Sequence, residues 1–147
     1  MKSKILVKRL KPSARLPIKG TPGSSGFDLF ACIDSGSGII KIGPTPVQIP
    51  TGIQLEIPIG LDVQVRPRSG LTLAGVMVPL GTIDSDYRGE IFITMYCVGT
   101  NQSYDVKNGD RVAQLVITSL VETNIEITTE DLSNTERNSG GYGSTGT

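Results

Sequence analysis

Ten residues, Gly81 to Glu90 (GTIDSDYRGE), set two aspartates, a tyrosine and an arginine between glycines, directly before the β-forming run EIFITMYCV. A carboxylate at the end of an apolar strand is well placed to activate water, and glycines there let backbone approach a ligand closely. The chain has no histidine. Acid–base chemistry near neutral pH therefore falls to Asp, Glu, Lys, Tyr or Cys. The hexapeptide Arg66-Pro67-Arg68-Ser69-Gly70-Leu71 closes an alternating strand. Arginine can fork onto a phosphate, Ser69 can donate a hydroxyl, and Gly70 can offer an unobstructed N–H. The same residues also read as a plain strand-to-turn connection.

Two further residues are chemically out of place. Asp28 lies among apolar neighbours in GFDLFA and needs a partner or solvent. Gln114 is an amide inside the apolar run of VKNGDRVAQLVI, either a satisfied core amide or a ligand contact. The end of the chain, Asn134 to Thr147 (NTERNSGGYGSTGT), is polar and glycine-rich. It reads as a frayed terminus or as a mobile lid, with Arg137 as a cation, Tyr142 as a stacking ring, and N–H and hydroxyl groups for phosphate oxygens.

Composition narrows the chemistry. Without histidine, a His/Cys zinc cage and a Ser-His-Asp triad are both ruled out, and there is no GxxxxGK[ST] phosphate loop. Isolated carboxylates and hydroxyls suit Mg²⁺ held mostly by water and substrate phosphates. Fourteen basic residues balance fourteen acidic ones, so there is no global field to draw in nucleic acid or a membrane surface. Taken together, the phosphate grip, the Gly-flanked Asp/Tyr turn, the isolated Asp, the strand Gln and the Arg/Tyr tail call for a nucleoside triphosphate.

The elements that must hold these residues are strands. The 147 residues suit one domain, with an aliphatic core, since aromatics are only 5% of the chain. Eighteen glycines and nine prolines punctuate short runs: KILVKRL, GFDLFA, VQIPTGIQLEI, LDVQVRP, GVMVPLGTI, EIFITMYCV, RVAQLVITSLVE and NIEIT. Leu61, Val63 and Val65 alternate with Asp62, Gln64 and Arg66, while no helical stripe lasts three turns. A single helical turn fits near Leu71 to Ala74. The pattern predicts an all-β sandwich, jelly roll or barrel. Cys32 and Cys97 sit in apolar runs and read as buried free thiols. The N-terminus reads as neither signal peptide nor membrane span, which points to the cytoplasm, or the nucleus for a eukaryotic or viral source.

Five segments, SSGFDLFA, RPRSGLTLAG, GTIDSDYRGE, NGDRVAQLVI and RNSGGYGSTG, taken in order, closely resemble the motifs of the trimeric dUTP pyrophosphatases (dUTPases). The resemblance implies a single-domain β jelly roll or barrel of the β-clip kind over residues 1–133 and a mobile glycine-rich lid arm over 134–147. It also implies a homotrimer with active sites shared between subunits, binding neither nucleic acid nor membrane. The implied reaction is Mg²⁺-dependent hydrolysis of dUTP to dUMP and pyrophosphate, limiting uracil in DNA and supplying dUMP for dTMP synthesis. By the same resemblance, Asp84 orients the water that attacks the α-phosphorus, and Tyr87 lies against the deoxyribose and refuses a 2′-hydroxyl. The backbone at Gly81, Thr82 and Ile83, in a β-hairpin, reads uracil.

Arg68, Ser69, Gly70 and Gln114 then hold phosphates, and Asp28 anchors Mg²⁺ through its water shell. Arg137 meets the γ-phosphate, Tyr142 stacks on uracil, and Gly143, Ser144 and Thr145 wrap the phosphate chain. Ala74 departs from the family's usual lysine in the second motif, and Met77 and Val78 from its usual acidic or amide residue. Asp86, Arg88 and Glu90 are expected in turn and interface salt bridges, Asp110 and Arg111 in holding the Asn108-Gly109 turn, and Phe92 in the core, the trimer interface or the base pocket. The competing readings are the sister dCTP deaminase, which would release ammonia from dCTP, and a non-catalytic nucleotide sensor.

Overall fold

A computed structural model describes residues 3–100 and 103–141. The described residues form eleven strands and one short helix, in the order β1 (Leu6–Arg9), β2 (Gly26–Phe30), β3 (Ile39–Ile42), β4 (Val47–Pro50), β5 (Ile53–Glu56), β6 (Leu61–Arg66), α1 (Ser69–Leu73), β7 (Val76–Met77), β8 (Gly81–Ile83), β9 (Phe92–Cys97), β10 (Tyr104–Lys107) and β11 (Arg111–Ser119). All named pairings are antiparallel. A four-stranded sheet runs β2-β11-β6-β8, a three-stranded sheet runs β4-β9-β7, and two ribbons join β1 to β5 and β3 to β10. The all-β fold class is as expected, and the helical turn lies at Ser69–Leu73, overlapping the expected position.

The alternation in the sequence translates directly into burial. In β6, Val63 and Val65 face the core while Gln64 and Arg66 do not; in β9, Ile93, Met95 and Cys97 are buried. The core is aliphatic, with Ile42, Ile49, Ile93, Met95, Val63, Val76 and Val106 essentially inaccessible. Burial of this surface, at ~25 cal/mol per Å² of apolar area, holds the layers together. Both cysteines are free and buried.

Three differences from the sequence pattern have physical causes. VQIPTGIQLEI is two strands, because Gly52 takes a φ of 68° and turns the chain between β4 and β5. β3 and β10 carry little periodic signal and exist as each other's partners. NIEIT alternates like a strand but pairs with no strand among the described residues, and Ile125 and Ile127 are each 99% exposed. A strand without a ladder leaves its N–H and C=O groups to water. Among the described residues no helix is long and apolar enough to cross a membrane.

Candidate active site

The Asp84–Tyr87 turn follows β8, which ends the four-stranded sheet. Gly81, Thr82 and Ile83 pair with Val65, Gln64 and Val63 of β6. Among the described residues no strand covers the other edge of β8. Every second N–H and C=O of an edge strand points away from its sheet, available to another hydrogen-bonding group. These three residues thus sit on a strand edge, with the turn itself following at Asp84–Tyr87. That edge, Asp84, Tyr87 and Phe92 line one cavity of about 360 Å³. Phe92 belongs to this pocket and not to the core, and is 42% exposed.

The turn is fixed locally and by tertiary contacts. The Tyr87 N–H donates to the Asp84 carbonyl (3.1 Å), and the Tyr87 hydroxyl donates to the Glu90 carbonyl (3.0 Å). The tyrosine ring lies directly over Gly89, where a Cβ would stand only 2.2 Å from the hydroxyl oxygen. The next residues are bound to the β4–β5 corner. Gln54 donates to the Arg88 carbonyl (2.6 Å), the Gly52 N–H donates to the Glu90 carboxylate (2.8 Å), and the Thr51 hydroxyl donates to the Ile91 carbonyl (2.5 Å). Arg88 donates to the carbonyls of Ser85 and Tyr87. Among the described residues, Arg88 and Glu90 thus serve backbone hydrogen bonds in the turn rather than salt bridges within it.

A second cluster forms on the outward face of the same sheet. Asp28, Gln114 and Arg66 are successive cross-strand partners on β2, β11 and β6, so their side chains share one row. The half-buried Asp28 carboxylate makes two ion pairs, with Arg68 Nε and with Arg111 Nη1, each at 3.3 Å. Arg68 also donates through Nη1 to the Arg111 carbonyl (3.0 Å). The Gln114 amide donates to the Pro67 carbonyl (2.9 Å), and Gly26 leaves the space it occupies, since a Cβ there would meet the amide oxygen at 2.2 Å. Gln114 is therefore both a satisfied amide and a wall, with Ser69, of an open hollow beside α1. Ser69 and Gly70 are exposed, and among the described residues nothing beyond α1's own backbone and the adjoining residues lies within 4 Å of where a Gly70 Cβ would stand.

Sequence reasoning placed Arg111 with the Asn108-Gly109 turn; the structure puts its guanidinium on Asp28 instead. The signal lay in the pairing pattern. β11 carries a bulge between Arg111 and Ala113 that shifts the register, so Arg111 stands opposite Phe30 on the face that Asp28 occupies. Asp110 does hold the turn, accepting from the Lys107 N–H at 2.8 Å. Gln48 and Thr94, which also line the Asp84 cavity, carried no sequence signal.

Arg137 makes local hydrogen bonds, Nε donating to the Gly140 carbonyl (2.9 Å), in a turn where Asn138 takes a φ of 41°. Tyr142, Gly143, Ser144 and Thr145 lie outside the described residues. No group of three or more His, Cys, Asp or Glu is placed to chelate a metal among the described residues. Asp28 alone fits a different mode. A carboxylate has about four acceptor sites, so one engaged by two arginines can still accept from the water shell of a Mg²⁺ that arrives with phosphates.

The two clusters are separated within one chain. Ile83 pairs with Val63, whereas Arg68 lies beyond the opposite end of β6, roughly 15–20 Å away at 3.3 Å per residue. Neither Asp28, Arg68 nor Gln114 lines the Asp84 cavity.

Residues 13–146 match the sequence pattern of the dUTPase family. The chain is 48% identical over 145 residues to the deoxyuridine 5'-triphosphate nucleotidohydrolase of Syntrophotalea carbinolica, covering 97% of this chain and 96% of the relative. It is 39% identical over 145 residues to the same enzyme of Paramecium bursaria Chlorella virus 1, covering 98% and 99%. Among solved structures, the dUTPase of Staphylococcus bacteriophage 80alpha with dUPNHPP aligns with a TM-score of 0.81 at 23% identity, over 99% of this chain and 100% of that one. A dUTPase from phage phi11 of S. aureus, whose structure concerns coordination of a structural Mg(II) ion, aligns with a TM-score of 0.75 at 21% identity, over 86% and 97%.

Proposed function

The chain belongs to the dUTPase family, and we propose that its active site is assembled from two halves contributed by different copies of the chain. The protein is a hydrolase that converts dUTP to dUMP. The nucleoside half is the Asp84 cavity. The observation that carries this reading is the union, in one cavity, of an unpaired strand edge, a carboxylate and a tyrosine ring. The β8 edge offers alternating donors and acceptors of the kind a uracil edge requires. Tyr87, fixed against Gly89, packs on the sugar and leaves no space for a 2′-hydroxyl. Asp84, exposed at the cavity wall, orients a water and accepts its proton as the water attacks the α-phosphorus.

The phosphate half is the Asp28, Arg68, Ser69, Gly70 and Gln114 cluster. Phosphoryl chemistry depends on positioning and charge neutralisation, and two guanidiniums facing one carboxylate leave net positive charge for an anion. Bound Mg²⁺ neutralises and orients the phosphates, and Asp28 would hold it through water. Arg137 and the arm residues Tyr142, Gly143, Ser144 and Thr145 close over the substrate and exclude water.

The spacing supports a site shared between copies of the chain, and the assembly we propose is a homotrimer. Reacting atoms must come within about 3–3.5 Å of the groups that act on them, which the spacing within one chain does not allow. Ile125 and Ile127, 99% exposed, and Leu132, 81% exposed, are apolar surface suited to a neighbouring copy. The test is Asp84→Asn, assayed with dUTP, dCTP, dTTP and UTP in Mg²⁺ for pyrophosphate and ammonia. Wild type yields pyrophosphate efficiently from dUTP alone, and the variant binds dUTP without turnover. Undiminished pyrophosphate release by Asp84→Asn would remove Asp84 from the mechanism.

A further inference from the structure

Arg68 is occupied before any substrate arrives. Its Nε lies 3.3 Å from Asp28 and its Nη1 donates to the Arg111 carbonyl at 3.0 Å. A phosphate competes with a carboxylate for the same guanidinium fork, so Arg68 must exchange partners to grip substrate. If Arg68 were the only cation on Asp28, its departure would strand a carboxylate whose side chain is only 16% exposed. An unpaired, largely desolvated charge is costly, and Arg68 would be retained.

We propose that Arg111 is a positioning residue that frees Arg68 for the triphosphate by keeping Asp28 paired during the exchange. The inference rests on the phosphate role proposed above for Arg68. Arg111 Nη1 lies 3.3 Å from the second Asp28 oxygen, so each guanidinium has its own acceptor atom and either can leave alone. The β-bulge in β11 is what brings Arg111 to this face; regular alternation from Gln114 would have turned it to the other side of the sheet. Arg111 is the more exposed of the two arginines, and its main-chain carbonyl accepts from Arg68 Nη1, so it guides the resting position of the residue it later releases.

The experiment measures equilibrium binding of the non-hydrolysable α,β-imido analogue of dUTP to the full-length protein, in Mg²⁺ and in EDTA, with assembly checked by sedimentation. Arg111→Met weakens binding about fivefold, the equivalent of one partly exposed ion pair, and Arg111→Lys, which keeps the cation, restores most of it. In an Asp28→Asn background the same Arg111→Met change has no further effect, because no carboxylate remains to retain Arg68. Equal weakening in both backgrounds, or no weakening in either, overturns the inference. If Arg68→Ala itself leaves affinity unchanged, the underlying phosphate assignment fails instead. Should Arg111→Met not assemble, the comparison of Arg111→Lys with Arg111→Gln in the two backgrounds gives the same discrimination.

Discussion

Adding one methyl group at Gly89 tests the sugar gate by displacing the Tyr87 ring without substituting any residue that contacts substrate. A Cβ there would stand 2.2 Å from the Tyr87 hydroxyl oxygen, 2.4 Å from Cζ and 2.8 Å from Cε2, where ordinary contact begins near 3.4 Å. The ring must retreat by roughly 1 Å, and its hydroxyl leaves the Glu90 carbonyl. Because the turn is exposed and the lost hydrogen bond is a single one, the stability cost is about 1 kcal/mol. Catalysis suffers more, since a 1 Å displacement of a positioning group can cost up to ~10²-fold.

Gly89→Ala should therefore lower kcat/KM for dUTP between ten- and a hundredfold while lowering UTP turnover less, so that selection against the ribose narrows. Tyr87→Phe, which keeps the ring over Gly89, should retain most of the selection. The assay is steady-state pyrophosphate release from dUTP and UTP for wild type and both variants, with circular dichroism to confirm the fold. If Gly89→Ala is folded and discriminates dUTP from UTP as well as wild type, Tyr87 does not gate the sugar.

Four other outcomes are expected. Gly26→Ala places a Cβ 2.2 Å from the Gln114 amide oxygen; moving that amide off the Pro67 carbonyl should raise KM about tenfold with little change in kcat. Mixed assemblies of inactive Asp84→Asn and Arg68→Ala chains should recover about a quarter of wild-type sites if each site draws the two residues from different copies, whereas no recovery would place both in one chain. Gly52→Ala, at a φ of 68° with Cys32 Sγ 2.8 Å from the new Cβ, should destabilise by about 2–3 kcal/mol in urea unfolding. The Ser13 hydroxyl, 2.6 Å from Asp34, and the Lys11 ammonium hold the Asp34 carboxyl below its usual range, so its stabilisation is present above that range and fades as pH falls through the lowered value. Ser13→Ala should move the Asp34 NMR titration upward.

The sequence determined by itself the local terms. Alternation in β6 and β9, glycine and proline spacing, and the absence of histidine settled an all-β fold, an aliphatic core and a chemistry without imidazole. These are legible because period-2 burial and missing residue types are properties of neighbouring positions. The ordered motifs likewise singled out Asp84, Tyr87, Arg68 and Gln114 as candidates. What only the tertiary structure decided is which of these meet. Arg111 reaches Asp28 across a bulge, Glu90 caps the Gly52 N–H, and Phe92 leaves the core for the cavity wall. Each depends on register and on contacts between residues tens of positions apart, fixed by the way the sheets pack. The separation of Asp84 from Arg68 along β6 is likewise a fact of pairing. It puts Asp84 toward one end of β6 and Arg68 beyond the other, because a strand rising about 3.3 Å per residue carries its ends too far apart to meet.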